Sequence, residues 1–155
     1  SRSDANEILP RKQLVLGGES SSWDLIEQLQ ALAPDCAILN HYGPTETTVG
    51  VLACRLEKAR TDSRSQTFPI GRAIPNVEIY LLDSDLKPVP VWVPGHLHIG
   101  GKSLARGYLN VPESTAENFI ANPFSKKPGT RLYKTGDLAR YLPDGNIEFL
   151  GRIDD

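Results

Sequence analysis

Methionine is absent from all 155 residues, position 1 included, and cysteine occurs only as Cys36 and Cys54. A chain without an initiating methionine is expected to be an excised piece of a longer one. Two cysteines exclude a disulfide framework and a cysteine-rich zinc site, and both read as reduced thiols of a cytoplasmic protein. No apolar run approaches the roughly 20 residues that span a bilayer. The opening "SRSDANE" is polar and has no signal-peptide core. An excess of positive charge is missing too: 17 Lys and Arg stand against 19 Asp and Glu, a net charge of −2. That balance argues against nucleic-acid backbone binding, which needs a basic face. What is present is 39% hydrophobic residues, enough for a packed core and too many for a disordered chain.

The organisation follows from periodicity. "KQLVLGG" (12–18) reads as a strand ending in a glycine pair. In the following "SSWDLIEQLQALAP", Trp23, Ile26, Leu29 and Leu32 share one helical face, Ser21 or Ser22 caps the start, and Pro34 ends the run. "CAILN" (36–40) is a buried strand, so the unit is strand–helix–strand with parallel pairing. A short strand is expected from Val49 to Cys54. The polar stretch 57–67, "EKARTDSRSQT", is expected to be an exposed loop and a lobe boundary. Beyond it, Val77, Ile79 and Leu81 alternate as in a half-buried strand, and "HLHIGG" is another strand. A helix is expected from about Pro112 to Ile120, with proline in its first turn. "LPDGNIEFL" places a Pro-Asp-Gly turn between two short strands. The expected fold is thus α/β followed by a β-rich lobe. Residues 1–11 are a linker or remnant, 12–56 part of an α/β subdomain, and 68–151 a mostly antiparallel β-rich subdomain.

Four glycine-punctuated polar stretches carry the candidate chemistry: "GGESSS", "YGPTETT", "GGKSLARGYL" and "YKTGDL". Glycine lets backbone N–H groups approach an anion, and hydroxyls add donors. "GGKS" does not have the spacing of a phosphate loop, so a plain turn is the simpler reading. The stretch "NHYGPTETT" (40–48) follows a buried strand and so sits at its carboxyl end, where open α/β sheets bind ligands. Within it, Glu46 is either an oxygen ligand for Mg²⁺ or a helix-start residue facing a dipole. Asp137 is either an acceptor for a ribose diol or a turn aspartate. His96 and His98 share a strand face that is expected to be solvated rather than zinc-binding.

In combination, "LVLGGES", "NHYGPTETT", "IGRAIPN", "GHLHIGGKSLARGYL" and "RLYKTGDLARYLPDGNIEFLGRID" resemble, in order and content, the adenylation domains of nonribosomal peptide synthetases, within the adenylate-forming superfamily. The resemblance runs from about Lys12 to Asp155. It implies an enzyme that activates an amino acid with ATP and Mg²⁺, then passes the acyl group to the phosphopantetheine of a carrier domain. Carrier and condensation domains of the same synthetase are the implied partners. The resemblance also assigns roles. Gly18 lies where the adenine packs, and Asn40 and Tyr42 form the adenine-site pair. Thr45 contacts the α-phosphate and Glu46 holds the metal, making these two the catalytic pair. Asp137 takes the ribose diol, Phe149 lies at the nucleoside, Arg152 contacts the ribose, and Asp154 is the hinge to a C-terminal domain, with 152–155 its start. Val15, Gly17, His41, Val49 and Gly50 line the amino-acid pocket. His41 is the polar member of that set, and a buried imidazole asks for an acceptor or anion. Together with the resemblance of the set to members that activate aspartate, this selects aspartate, with asparagine or a β-substituted aspartate next. The alternative is that His41 only packs beside the adenine.

The chain departs from the family's pattern at His96, where glutamate is usual, and in the serines of "GGESSS". It lacks the family's upstream phosphate loop, the aspartate that holds the substrate's amino group, and the C-terminal domain with its lysine. The resemblance therefore implies a fragment of the large N-terminal domain, with residues 68–151 as its distorted β-barrel subdomain, inactive or nearly so by itself. Two rival readings are an acyl-CoA synthetase type of adenylate-former and a non-catalytic β-rich binding module.

Overall fold

The computed structural model describes residues 9–56, 65 and 67–153. The expected hinge residue Asp154, the first eight residues and most of the 57–67 stretch lie outside them. The described residues form two sheets with few helices. The first sheet contains β1 (Gln13–Gly17), β2 (Ala37–Tyr42), β3 (Leu52–Arg55) and β4 (Arg72–Ala73), in that order. β1 and β2 run parallel and the other pairs antiparallel. Helix α1 (Trp23–Leu32) makes the crossover between β1 and β2. Ser22 caps it, its hydroxyl accepting from the Leu25 N–H at 3.2 Å. The helix buries Trp23 and Ile26 against Ile38, Cys54 and Phe68, and the Trp23 and Phe68 rings meet edge to face at 5.2 Å.

The second sheet is antiparallel, with β5 (Val77–Leu82), β6 (Gly95–Gly101), β8 (Arg131–Tyr141) and β7 (Phe119–Ala121) in order. β9 (Ile147–Arg152) also pairs β8, along its second half, whereas β7 pairs the first half. This curled sheet encloses the larger core, which Val51, Leu52 and Ile70 enter from the first half of the chain. The two sheets therefore share apolar packing as well as a chain connection.

Several elements differ from expectation for identifiable reasons. β3 starts at Leu52 rather than Val49, because Thr48 and Val49 both have positive φ (65° and 66°), a left-handed bend that no strand accommodates. β8 is eleven residues long rather than short, since it is the central strand that pairs β6 along one side and β7 and β9 along the other. Helix α2 (Pro112–Asn118) stops before Phe119, whose ring is buried and whose backbone joins β7. The solvated face expected for His98 is overturned. Its ring is buried, Nδ1 lies 2.9 Å from the His96 carbonyl, and burial holds the imidazole below its ordinary pKa. β4 belongs to the first sheet, so the change of sheet comes between Ala73 and Val77.

Ser65 departs most from the expected exposed loop over 57–67: it is buried. The reason is Glu148 on β9, whose side chain is fully buried. Glu148 Oε1 accepts from Ser65 Oγ (2.9 Å) and the Thr67 N–H (3.2 Å), and Oε2 pairs with Arg140 Nε at 2.7 Å. Arg140 in turn lies over the Trp92 ring at 4.9 Å. A buried ion pair broken on one side leaves an uncompensated charge. Glu148→Ala should therefore cost about 3–5 kcal/mol, read as a lower denaturant midpoint, whereas an isosteric Glu148→Gln should cost clearly less. Equal midpoints for all three proteins would show that the pair contributes nothing.

Candidate functional site

A cleft of ≈ 830 Å³ opens where the carboxyl ends of β1 and β2 meet β8 and β9. The first sheet contributes Gly18, Asn40, His41, Tyr42, Thr45 and Glu46, and the second contributes Tyr133, Thr135, Asp137, Phe149 and Arg152. The site residues expected for the nucleotide are thus all brought to one cleft. Of the five expected amino-acid pocket residues, only His41 lines it. Gly17 and His41 are register partners on the parallel pair, and Val15 lies on the same sheet face two residues earlier. Val15 and Val49 are more than half exposed, at 53% and 65%. Gly50 packs so closely under the imidazole that a Cβ there would lie 1.9 Å from His41 Nε2. Any side chain at position 50 would displace His41, so these two positions act together.

Asn40 is a structural hub. It is 2% exposed, and its Nδ2 donates to the carbonyls of Phe68 (3.2 Å) and Pro69 (3.0 Å). Its Oδ1 accepts from the His41 N–H at 3.0 Å. An amide has two N–H donors and a two-lone-pair oxygen, so only acceptor capacity is left for a ligand. The amide fits a ligand amino group and not a ligand acceptor.

Asp137 does not sit in a turn. It lies in β8, where its buried carboxylate is the meeting point of both sheets. Tyr42 Oη donates to Oδ2, Arg152 Nη1 lies 3.3 Å from Oδ1, and its own N–H donates to Thr135 Oγ1 at 3.0 Å. Burial, with the Asp137 charge beside it, pushes the Tyr42 phenol far up, so the hydroxyl stays protonated and donating. The Tyr42 and Phe149 rings are 6.5 Å apart and tilted by 36°, forming two walls of one opening.

Glu46 sits in a three-residue 3₁₀ turn, Thr45–Thr47. So short a turn aligns too few peptide dipoles to explain a carboxylate there. Its Oε1 accepts from Tyr108 Oη at 2.7 Å. Burial alone would raise this carboxyl, but hydrogen bonds from Tyr108, its own backbone and Tyr133, together with the Arg152 charge, outweigh it and hold Glu46 below the usual range. It is therefore ionised at neutral pH. Tyr108, Tyr133 and Thr135 were not among the expected site residues. Tyr108 and Tyr133 stand in "ARGYL" and "RLYKTGD", and their positions in quoted motifs were the available signal. Among the described residues no group of three His, Cys, Asp or Glu could hold a metal by itself.

Residues 3–109 match the family model described as AMP-binding enzyme. The chain belongs to the AMP-binding enzyme family. Its relatives narrow the class to nonribosomal peptide synthetases. It is 53% identical over 152 residues to a linear gramicidin synthase of Brevibacillus parabrevis, covering 97% of this chain and 2% of that protein. It is 49% identical over 145 residues to chondramide synthase cmdD from Chondromyces crocatus, covering 92% of this chain and 4% of that one. Among solved structures, the nonribosomal peptide synthetase FmoA3 in its AMPPNP-bound form superposes with a TM-score of 0.82 at 36% identity. That match covers 99% of this chain and 17% of FmoA3. The form bound to alpha-methyl-L-serine-AMP gives 0.83, with the same identity and coverage. The chain therefore spans only a small part of the proteins it matches.

Asn40→Ala would strip three hydrogen bonds from buried backbone groups. It should destabilise the fold by about 2–3 kcal/mol, measured by chemical denaturation. A stability unchanged within error would mean that the Phe68 and Pro69 carbonyls find other partners.

Proposed function

We propose that this chain supplies the nucleotide-facing part of an adenylation domain that activates an amino acid with ATP. In such a reaction a carboxylate oxygen of the amino acid attacks the α-phosphorus of ATP. The bond to the bridging oxygen breaks, pyrophosphate leaves, and an aminoacyl-adenylate remains. A carrier's phosphopantetheine thiol then displaces AMP to form a thioester. The observation that carries this reading is Asp137, held between Tyr42 and Arg152 at a cleft walled by Tyr42 and Phe149. A ribose diol offers two O–H donors, the same kind of partner this carboxylate already holds. The aromatic walls suit a base, and the acceptor left on Asn40 suits an exocyclic amine. Gly18 would pack against the adenine, Thr45 would meet the α-phosphate, and Arg152 would also reach the ribose. Support also comes from FmoA3, whose solved forms hold AMPPNP and an aminoacyl-type adenylate.

The donor set also fits Mg²⁺. A single ionised carboxylate in the cleft is what that ion needs when substrate phosphates and water complete its shell. Glu46 would hold it, and bound Mg²⁺ would neutralise phosphate charge during the displacement. Glu46→Gln keeps size and loses charge, so its defect should shrink as Mg²⁺ is raised.

Asp137→Ala in the full adenylation domain should weaken ATP binding by roughly ten- to a hundredfold, the cost of losing hydrogen bonds to a charged acceptor. Calorimetric titration with ATP reads this directly, and an unchanged affinity would remove Asp137 from the nucleotide site.

For the substrate side chain we propose aspartate. On this reading Val15, Gly17, His41, Val49 and Gly50 would contribute to the surface that meets the side chain, with His41 as its polar group; glycine at position 50 makes room for the His41 ring. Amino-acid-dependent pyrophosphate exchange across the twenty amino acids should favour aspartate, and His41→Leu should lose aspartate preferentially. A clear win for leucine or phenylalanine would overturn this substrate assignment. Carrier and condensation domains would be the partners, as in the multidomain synthetases that this chain resembles.

A further inference from the structure

"GGKS" reads in sequence as a plain turn, yet the stretch "GGKSLARGYL" that it opens grips the turn at residues 45–48 at three points. The Ala105 N–H donates to the Glu46 carbonyl at 2.7 Å. Tyr108 Oη donates to Glu46 Oε1 at 2.7 Å. Thr48 Oγ1 donates to the Ser103 carbonyl at 2.8 Å. The first two contacts fix the backbone and the side chain of the same glutamate. The third holds a residue in the left-handed region, where a β-branched side chain is strained and needs external support.

The loop is itself anchored from behind. Arg131 at the start of β8 donates through Nη1 to the Arg106 carbonyl (3.0 Å) and through Nη2 to the Ala105 carbonyl (3.1 Å). Its guanidinium also lies 5.2 Å from the Phe119 ring centroid. On the other side, Thr115 of α2 accepts the Tyr108 N–H at 2.9 Å while donating to the Val111 carbonyl at 2.9 Å. Gly107 makes that approach possible: it has a φ of 144°, and a Cβ there would lie 2.4 Å from the Thr115 methyl. The Tyr108 ring meets Phe119 edge to face at 5.8 Å. Position, direction and ring plane of Tyr108 are thus all specified by groups of the second sheet and α2.

We propose that the loop Lys102–Tyr108 is a clamp on Glu46, and that Tyr108, braced by Thr115 and Arg131, is the positioning residue that aims the Glu46 carboxylate. A phenol hydrogen-bonded to one carboxylate oxygen restricts rotation of the whole group. A flexible surface glutamate would otherwise lose that freedom on every binding event. The clamp removes this cost in advance, so the cation that accompanies the nucleotide meets a carboxylate already ionised and oriented. This inference rests on the reading of Glu46 as the metal-facing group. It adds that the second sheet, through Tyr108, sets how well that group works.

The test uses the full adenylation domain, with Tyr108→Phe, Thr115→Val and Glu46→Gln compared in two readouts. One is the affinity for Mn²⁺ in the presence of a non-hydrolysable ATP analogue, measured by electron paramagnetic resonance without turnover. The other is the Mg²⁺ concentration giving half-maximal amino-acid-dependent pyrophosphate exchange. Tyr108→Phe should weaken Mn²⁺ and raise the Mg²⁺ requirement by about five- to tenfold, less than the full worth of a hydrogen bond to a charged group because the Glu46 carboxylate itself remains. Thr115→Val should move both in the same direction by a smaller factor. The rate at saturating Mg²⁺, the amino-acid KM and the thermal midpoint should stay near their unmutated values. If Glu46→Gln shifts both readouts and Tyr108→Phe shifts neither, the clamp is refuted while the role of Glu46 stands. If Glu46→Gln shifts neither, the metal-facing reading fails and takes the clamp with it. A Tyr108→Phe protein that loses activity at every Mg²⁺ concentration together with thermal stability would make Tyr108 a folding residue and overturn the proposal.

Discussion

The short segment 67–71, together with Ser65, is hydrogen-bonded on both of its sides, and the arrangement of the two sheets depends on it. On one side its Phe68 and Pro69 carbonyls receive the Asn40 amide of β2. On the other, Gly71 and Ile147 exchange backbone hydrogen bonds, and Glu148 takes Ser65 and Thr67. Thr67 Oγ1 adds a contact to the Phe149 carbonyl at 3.2 Å. A segment with partners on both sides acts as a spacer of fixed width. That width sets the distance between the end of β2 and the β8–β9 edge, and so the opening of the cleft. The fully buried Glu148 is the costly element of the seam, since a desolvated carboxylate is tolerated only when its partners are all in place.

The cleft uses this spacing twice. Tyr42 and Phe149 come from different sheets and face one another across it, and Asp137 receives Tyr42 from the first sheet and Arg152 from its own. The Tyr42–Phe149 and Tyr42–Asp137 pairings require both sheets at once, so neither half of the chain carries the cleft by itself. Glu46 follows the same rule. It belongs to the first half, but its carboxylate and its carbonyl are both held by the Lys102–Tyr108 loop of the second. Local strain at Thr48 and Val49 is concentrated beside these contacts, as is common where a backbone is bent to present a ligand.

The proposed amino-acid face differs in kind. Val15, Gly17 and His41 share the side of the first sheet opposite the α1 core, and Val15 is half exposed there. These residues provide a floor rather than a closed pocket. Of these three only His41 also borders the cleft, and Gly50 is the residue that leaves it room.

Local pattern determined most of the elements. Periodicity and capping place α1, alternation places β5, and the glycine-rich motifs mark the cleft residues, because these signals act over a few residues and the physics that produces them is equally short-range. Tertiary structure decided what local pattern cannot encode. His98 is buried and Ser65 is fastened down because a partner distant in sequence, β8 in one case and Glu148 in the other, reaches each of them. A turn is one of two local readings of Asp137 beside its glycine, yet β9 pairs with it and makes it part of a strand. Nothing in the local sequence singles out Tyr108, yet it lands on Glu46, 62 positions away. The physical reason is the same throughout: burial and hydrogen-bond partnership are properties of pairs. A sequence read in short windows contains one member of each pair, and only the folded chain brings in the other.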